Sequence, residues 1–282
     1  MSFRHRILSS FGRQKNRTEG CTPSCRIRYR KIVTVNHLEK WSKLSTMSFP
    51  IPPGFEILLE DGPLLAVNKP AGLLTQAPPG IDSLEYRVKD FLTVRDHKPG
   101  RCYLGVPHRL DRPVSGVILF AKHVRAARRL SEQFENRTVN KTYWAAVSGQ
   151  PEDDVGTWVD YMKKVPHQPL AVIAKPIDPE AREAVLHYRV LRRFDWGAQL
   201  EVKLETGRMH QIRLQSGSRG FPILGDTQYG STLPFGELHE DTRLQSIALH
   251  ARSIVFLHPM TRELLTLEAP LPTAWNKLEM PY

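Results

Sequence analysis

A globular domain that mixes strands with helices is the fold class the sequence predicts, on three observations. Apolar-alternating runs at residues 55–61, 63–70, 139–147, 184–190 and 199–204 are bounded by turn-forming residues and read as strands. Ile81, Leu84, Val88 and Leu92 recur at helical spacing, and so do Val124, Ala127, Leu130 and Phe134. The composition, 40% hydrophobic and 24% charged over 282 residues, suits a soluble protein, and no apolar run reaches the roughly 18 residues a membrane span needs.

Charge is unevenly spread. Residues 1–46 carry 11 Lys and Arg against 2 Asp and Glu, which leaves 29 against 27 for the remainder of a chain whose net charge is +11. The basic excess is therefore a tail, and any basic footprint on the body must come from clustering. We divide the chain into this basic extension, 1–46, expected to be disordered, and a body expected to fold, 47–282. The extension is open to three readings: a nucleic-acid-binding arm, an organellar transit segment, or an overcalled start upstream of Met47. Arg26 to Val35 is its one short strand candidate. Cys21, Cys25 and Cys102 are too few for a disulfide framework or a zinc site, which makes a reducing cytoplasm the default compartment.

Taken in order, the first two strands are split by the acidic turn at Asp61 and closed by Asn68-Lys69-Pro70-Ala71-Gly72. A helix over 81–92 opens on Asp82 or Ser83 as its cap. Residues 93–107 form a loop leading to His108–Lys122, HRLDRPVSGVILFAK, where a polar knot passes into the strand Val117-Ile118-Leu119-Phe120. A helix follows from His123 to Phe134, with Arg125, Arg128 and Arg129 on its outer face, equally suited to solvent or to phosphate. The strand at 139–147 is next. Residues 151–179, rich in Pro, Asp, Lys and Gly, read as turns and short strands. A turn at Arg192 to Gly197 joins the strands 184–190 and 199–204, and the second runs into Glu205–Leu214. Gly225–Gly230, GDTQYG, reads as a turn, and Ile247 to Pro272 as strand pairs that complete the sheet. His250 and His258 stand eight residues apart with no third ligand in register, so they read as structural.

Asp111 is the focus. Pro107, Pro113 and the Ser115-Gly116 pair punctuate a rigid loop that holds this carboxylate where an apolar strand opens onto a surface. Read alone, it is a turn residue paired with Arg109 or Arg112. The full string resembles the HRLD signature of pseudouridine synthases of the RluA type, in which the aspartate is catalytic. NKPAGLLTQ at 68–76, Lys141-Thr142-Tyr143, and Thr206-Gly207-Arg208-Met209-His210-Gln211-Ile212-Arg213 are similar to that family's other motifs, in its order, over about residues 55–273. Met209 stands where Thr is usual, and Gln215 where His is frequent.

The resemblance implies an α+β fold, with a mixed, largely antiparallel sheet in two halves, flanking helices and a central catalytic cleft. It implies isomerisation of specific uridines to pseudouridine in ribosomal or transfer RNA, with Asp111, Tyr143 and Arg213 as the catalytic set. His108, Arg109, Arg112, Asn68, Lys69, Arg208, His210 and Gln211 are then the RNA contacts. Arg213 is expected as the bidentate partner of Asp111. The reaction changes no redox state and adds no group, so neither cofactor nor metal is expected, and the expected partner is the RNA alone, met by a monomer. The alternative is an inactive RNA-binding protein or chaperone on the same fold.

Overall fold

A computed structural model of the protein describes residues 54–279. The readings made for 1–46, including the strand at Arg26 to Val35, lie outside them. Among the described residues, ten strands form one sheet in the order β1-β2-β3-β9-β4-β8-β7-β5-β6, with β10 paired to β9. The elements are β1 (Glu56–Asp61), β2 (Leu64–Lys69), α1 (Leu84–Arg95), β3 (Ser115–Ala121), α2 (Val124–Glu135), β4 (Asn140–Ser148), β5 (Val155–Lys164), β6 (Ala171–Ala174), β7 (Arg182–Phe194), β8 (Gly197–Leu204), α3 (Gln211–Gly217), β9 (Leu249–Leu257) and β10 (Leu264–Glu268). The fold is α+β, and the two expected halves are joined into a continuous sheet.

The join is short. Strands β3 and β9 run parallel and pair only through Ser115 with His250 and Gly116 with Ala251. All other named pairs are antiparallel. Gly116 has φ +119°, and a Cβ there would lie 2.6 Å from the Ala251 nitrogen and closer still to its carbonyl oxygen. Only glycine permits so close an approach of backbones. His250 and His258 are buried, and His250 Nδ1 lies 2.8 Å from Ser115 Oγ, which places the former in the join as a structural residue.

Both foreseen helices form, with shifted ends. Ser83 caps α1 by accepting from the Tyr86 amide, and Leu84, Val88, Phe91 and Leu92 are buried. Burial of each such side chain contributes about 1.5–3 kcal/mol. The helix runs three residues beyond Leu92, and Ile81, counted on its apolar stripe, is exposed. Helix α2 uses His123 as its cap and exposes Val124. Arg129 is not on a free face, because its Nη1 donates to the Pro259 carbonyl at 2.7 Å.

Two strand readings are corrected. Strand β5 is ten residues long where short strands were expected, because β7 pairs with it from Val155 to Met162. Strand β7 continues through Arg192 and Arg193 to Phe194, so the turn shrinks to Asp195-Trp196. Residues Gln211–Gly217, to which the sequence reading assigns no element, form a helix. Six of its seven residues are buried, so its apolar residues leave no one-sided helical pattern.

Candidate active site

Asp111 projects from a loop that the chain grips from behind. Thr75 Oγ1 donates to the Leu110 carbonyl at 2.8 Å and accepts from the Leu110 amide at 3.1 Å. The Gly72 amide donates to the Arg112 carbonyl, and Arg112 Nε returns a bond to the Gly72 carbonyl at 3.0 Å. Lys69 Nζ donates to the carbonyls of Pro70 at 2.8 Å and Arg112 at 3.2 Å. NKPAGLLT is therefore a clamp on the Asp111 loop, and its residues are chosen by what the loop backbone needs. Strand β3, buried at all seven positions, fixes the loop's far end.

The loop opens into a cleft of about 1430 Å³. Arg213 Nη1 lies 3.6 Å and His210 Nε2 3.7 Å from the same Asp111 oxygen. The bidentate grip expected between Arg213 and Asp111 falls instead on Asp226, with Nε to Oδ2 at 2.6 Å and Nη2 to Oδ1 at 2.8 Å. That pair is 5% and 1% exposed by side chain. Burial opposes the guanidinium's charge, but the bonds to Asp226 outweigh it and hold Arg213 protonated. The cation thus faces two carboxylates, one tightly and one at a distance that leaves Asp111 room to act.

His210 enters α3 in a left-handed conformation, φ 53°. Its Nδ1 is 2.8 Å from the Tyr229 hydroxyl, which also accepts from the Ala171 amide at 3.1 Å. Burial lowers the His210 pKa, while Asp111 pulls it the other way. The Arg213 guanidinium lies 5.0 Å over the Tyr229 ring, a cation–π contact that adds to its positioning. Tyr143, on β4, is buried and lines the cleft. Burial, with Asp111's negative charge adding to it, raises its phenol pKa and keeps the hydroxyl protonated at neutral pH.

The sequence-assigned RNA contacts divide. Arg109, Arg208 and His210 line the cleft. Lys69 does not reach it as a phosphate contact: it is 0% exposed, and burial holds its pKa down to about 7 while Asp111 pulls it up. Gln211 lines the cleft too, but it is buried and bonded to Thr206 Oγ1, the Arg208 amide and the Val185 carbonyl. His108 lines the cleft but stacks on Phe134 at 4.3 Å, and its Nε2 accepts from the Leu119 amide. Burial, with Lys141 adding to it, brings His108 down to about 3, so it carries no charge to offer a phosphate. Arg112 and Asn68 are tied to Gly72 and Glu56. Among the described residues, no group of three His, Cys, Asp or Glu side chains is placed to hold a metal ion.

Asp226, Tyr229 and Lys141 were not singled out from sequence. The first two stand in GDTQYG, whose glycines signal a turn; an acid flanked by such turn signals was the available hint. Lys141 stands in the separate Lys141-Thr142-Tyr143 motif, where the resemblance gives a role to Tyr143 alone.

The family described as RNA pseudouridylate synthase matches residues 63–217. Ribosomal large subunit pseudouridine synthase D of Xanthomonas campestris is 34% identical over 229 residues, 79% of this chain and 67% of its own length. tRNA pseudouridine synthase C of Haemophilus influenzae is 36% identical over 242 residues, 79% of this chain and 95% of its own. Among solved structures, human RNA pseudouridylate synthase domain containing 4 is similar with a TM-score of 0.64 and 25% identity, covering 80% of this chain and 95% of that one.

Proposed function

Because the chain belongs to the RNA pseudouridylate synthase family, we propose that it isomerises uridines to pseudouridine in structured RNA, with Asp111 as the reacting carboxylate. The observation that carries the reading is a cleft carboxylate set 3.6 Å from a guanidinium already neutralised by a second, buried aspartate. Arg213 then stands near one Asp111 oxygen without the bidentate grip it gives Asp226.

The reaction breaks the C1′–N1 bond, rotates the uracil and joins C5 to C1′; C5 releases its proton, and the nitrogen freed from the sugar takes one up. Asp111 serves either as the nucleophile at C1′ or as the base that begins elimination at the sugar, and both roles need the ionised form. The uridine first leaves its stack, at a cost of a few kcal/mol. Tyr143 offers a ring face to the extruded base, and its protonated hydroxyl is a donor beside Asp111. Arg109, exposed on the same loop, meets the flanking backbone. We assign the catalytic body to residues 47–282, working as a monomer in the cytoplasm. The two named relatives act on ribosomal and transfer RNA at comparable identity, so structured RNA is the substrate class this reading supports.

Tritium release from RNA carrying [5-³H]uridine tests the assignment. Asp111→Asn removes the charge at nearly constant volume and should abolish release while RNA binding persists. A variant within roughly tenfold of wild type, about 1.4 kcal/mol in barrier, rules Asp111 out as the reacting group.

A further inference from the structure

The cleft that holds Asp111 also carries a cationic lobe that the reaction does not use. Lys141 lies on β4 two residues before Tyr143 and therefore on the same strand face. Its Nζ lies 3.5 Å from where a Cβ on Gly207 would sit, and among the described residues it makes no hydrogen bond or ion pair. Burial works against its charge, so an ammonium held there lacks the acceptor that partly buried cations need.

Three guanidinium groups continue the lobe outward. Arg208 follows Gly207 and spends only its Nε, on the Glu183 carbonyl at 2.8 Å. Arg182 bonds the carbonyls of Pro179 and Ala181 through one nitrogen. Arg137 is exposed and held at φ 56° just past α2. The like charges of Arg137 and Arg182 act on Arg208, with Glu183 opposing them. Glu180 and Glu205 also line the cleft, but Glu205 is engaged by His187 at 2.5 Å, and no carboxylate pairs with any of the four cations among the described residues. Cations gathered without a paired carboxylate repel one another, and an anion with several acceptor oxygens relieves that repulsion.

We propose that Lys141, Arg208, Arg137 and Arg182 form a phosphate subsite that grips the RNA backbone beside the uridine lodged at Asp111. The inference deepens the function proposed above and rests on its RNA substrate. Lys141 is the inner, partly buried cation and the arginines carry the strand toward the rim. Backbone contacts of this kind set register without reading bases, and they leave a salt signature.

Anisotropy of a 5′-labelled oligouridylate reads that signature as the slope of log affinity against log salt. The double variant Arg137→Gln/Arg182→Gln changes two exposed side chains and tests charge with the fold intact, and Lys141→Gln tests the inner cation. For each phosphate of the single strand that a variant ceases to grip, the slope should flatten by about 0.7. Arg262→Gln/Lys277→Gln, outside the cleft, removes the same charge and should leave the slope unchanged. A wild-type slope in the cleft variants, or an equal fall in the control, overturns the subsite. Failure of the reaction itself would show separately, as wild-type protein that releases no tritium yet keeps the slope difference between cleft and control variants.

Discussion

Asp226→Asn separates the anchor of the site from its reacting carboxylate. The native pair makes two charge-assisted bonds, 2.6 and 2.8 Å, between side chains 5% and 1% exposed. Asparagine keeps one acceptor oxygen and turns an amide toward the second guanidinium N–H, so one strong bond is lost and a donor meets a donor. Removing one partner of a buried pair costs about 3–5 kcal/mol. The retained oxygen, and Gln228 Oε1 accepting from Nη2 at 2.8 Å, reduce this to about 2–3 kcal/mol, the upper part of the range for one hydrogen bond to a charged group. For a domain of this size that is a fall of about 5–10 °C in Tm. Freed from Asp226, Arg213 has Asp111 as its nearest carboxylate and closes the 3.6 Å gap, capping the oxygen the reaction needs. Single-turnover tritium release should therefore drop at least about tenfold, equivalent to 1.4 kcal/mol, while RNA affinity changes little. Calorimetry and rapid-quench release measure the two effects on one preparation. A melting point within about one degree of wild type together with an unchanged rate would refute the anchoring argument.

Further outcomes follow from the same geometry. His250 is held down to about 4 by burial, the Ala269 carbonyl pulling the other way, whereas an unfolded histidine titrates near 6.5. The unfolded chain therefore gains a proton that the folded one refuses, and stability should fall by about 1.4 kcal/mol per pH unit per such group between pH 6.5 and 4. Denaturant midpoints that stay flat from pH 7 to 4.5 would contradict this. Burial raises the Glu60 pKa, but its bonds to Arg95 and Lys122 outweigh that and bring it to about 2. Its contribution is present above the unfolded value of 4.5 and is lost as pH falls toward 2, a separate step that Glu60→Gln should remove. Gly116→Ala forces a Cβ into the Ala251 backbone at positive φ and should cost about 3 kcal/mol or more, read as lost soluble yield and a lowered melt; a native-like melt would mean that β3 and β9 are not held this closely.

The chemistry-bearing strings and the local elements were legible in the sequence because they depend on near neighbours. Ser83 as a cap, the 3.6-residue stripe of α1, the apolar run of β3 and the order of HRLD, KTY and TGRMHQIR are all written within short windows. Windows of that size gave no element for α3, buried nearly all round, and mistook the length of β7, which follows its pairing with β5 and β8 and not its own turn residues. Only the tertiary structure decided which carboxylate Arg213 holds, since Asp111 lies 102 residues before it and Asp226 only 13 after, and both carry the same charge. It also decided that Lys69 serves the Asp111 loop from behind and that Lys141, Arg137, Arg182 and Arg208 share one lobe. A residue's chemistry is intrinsic to its side chain, but its partner and its solvent exposure are set by segments distant in the chain, and those arise only when the sheet closes around the cleft.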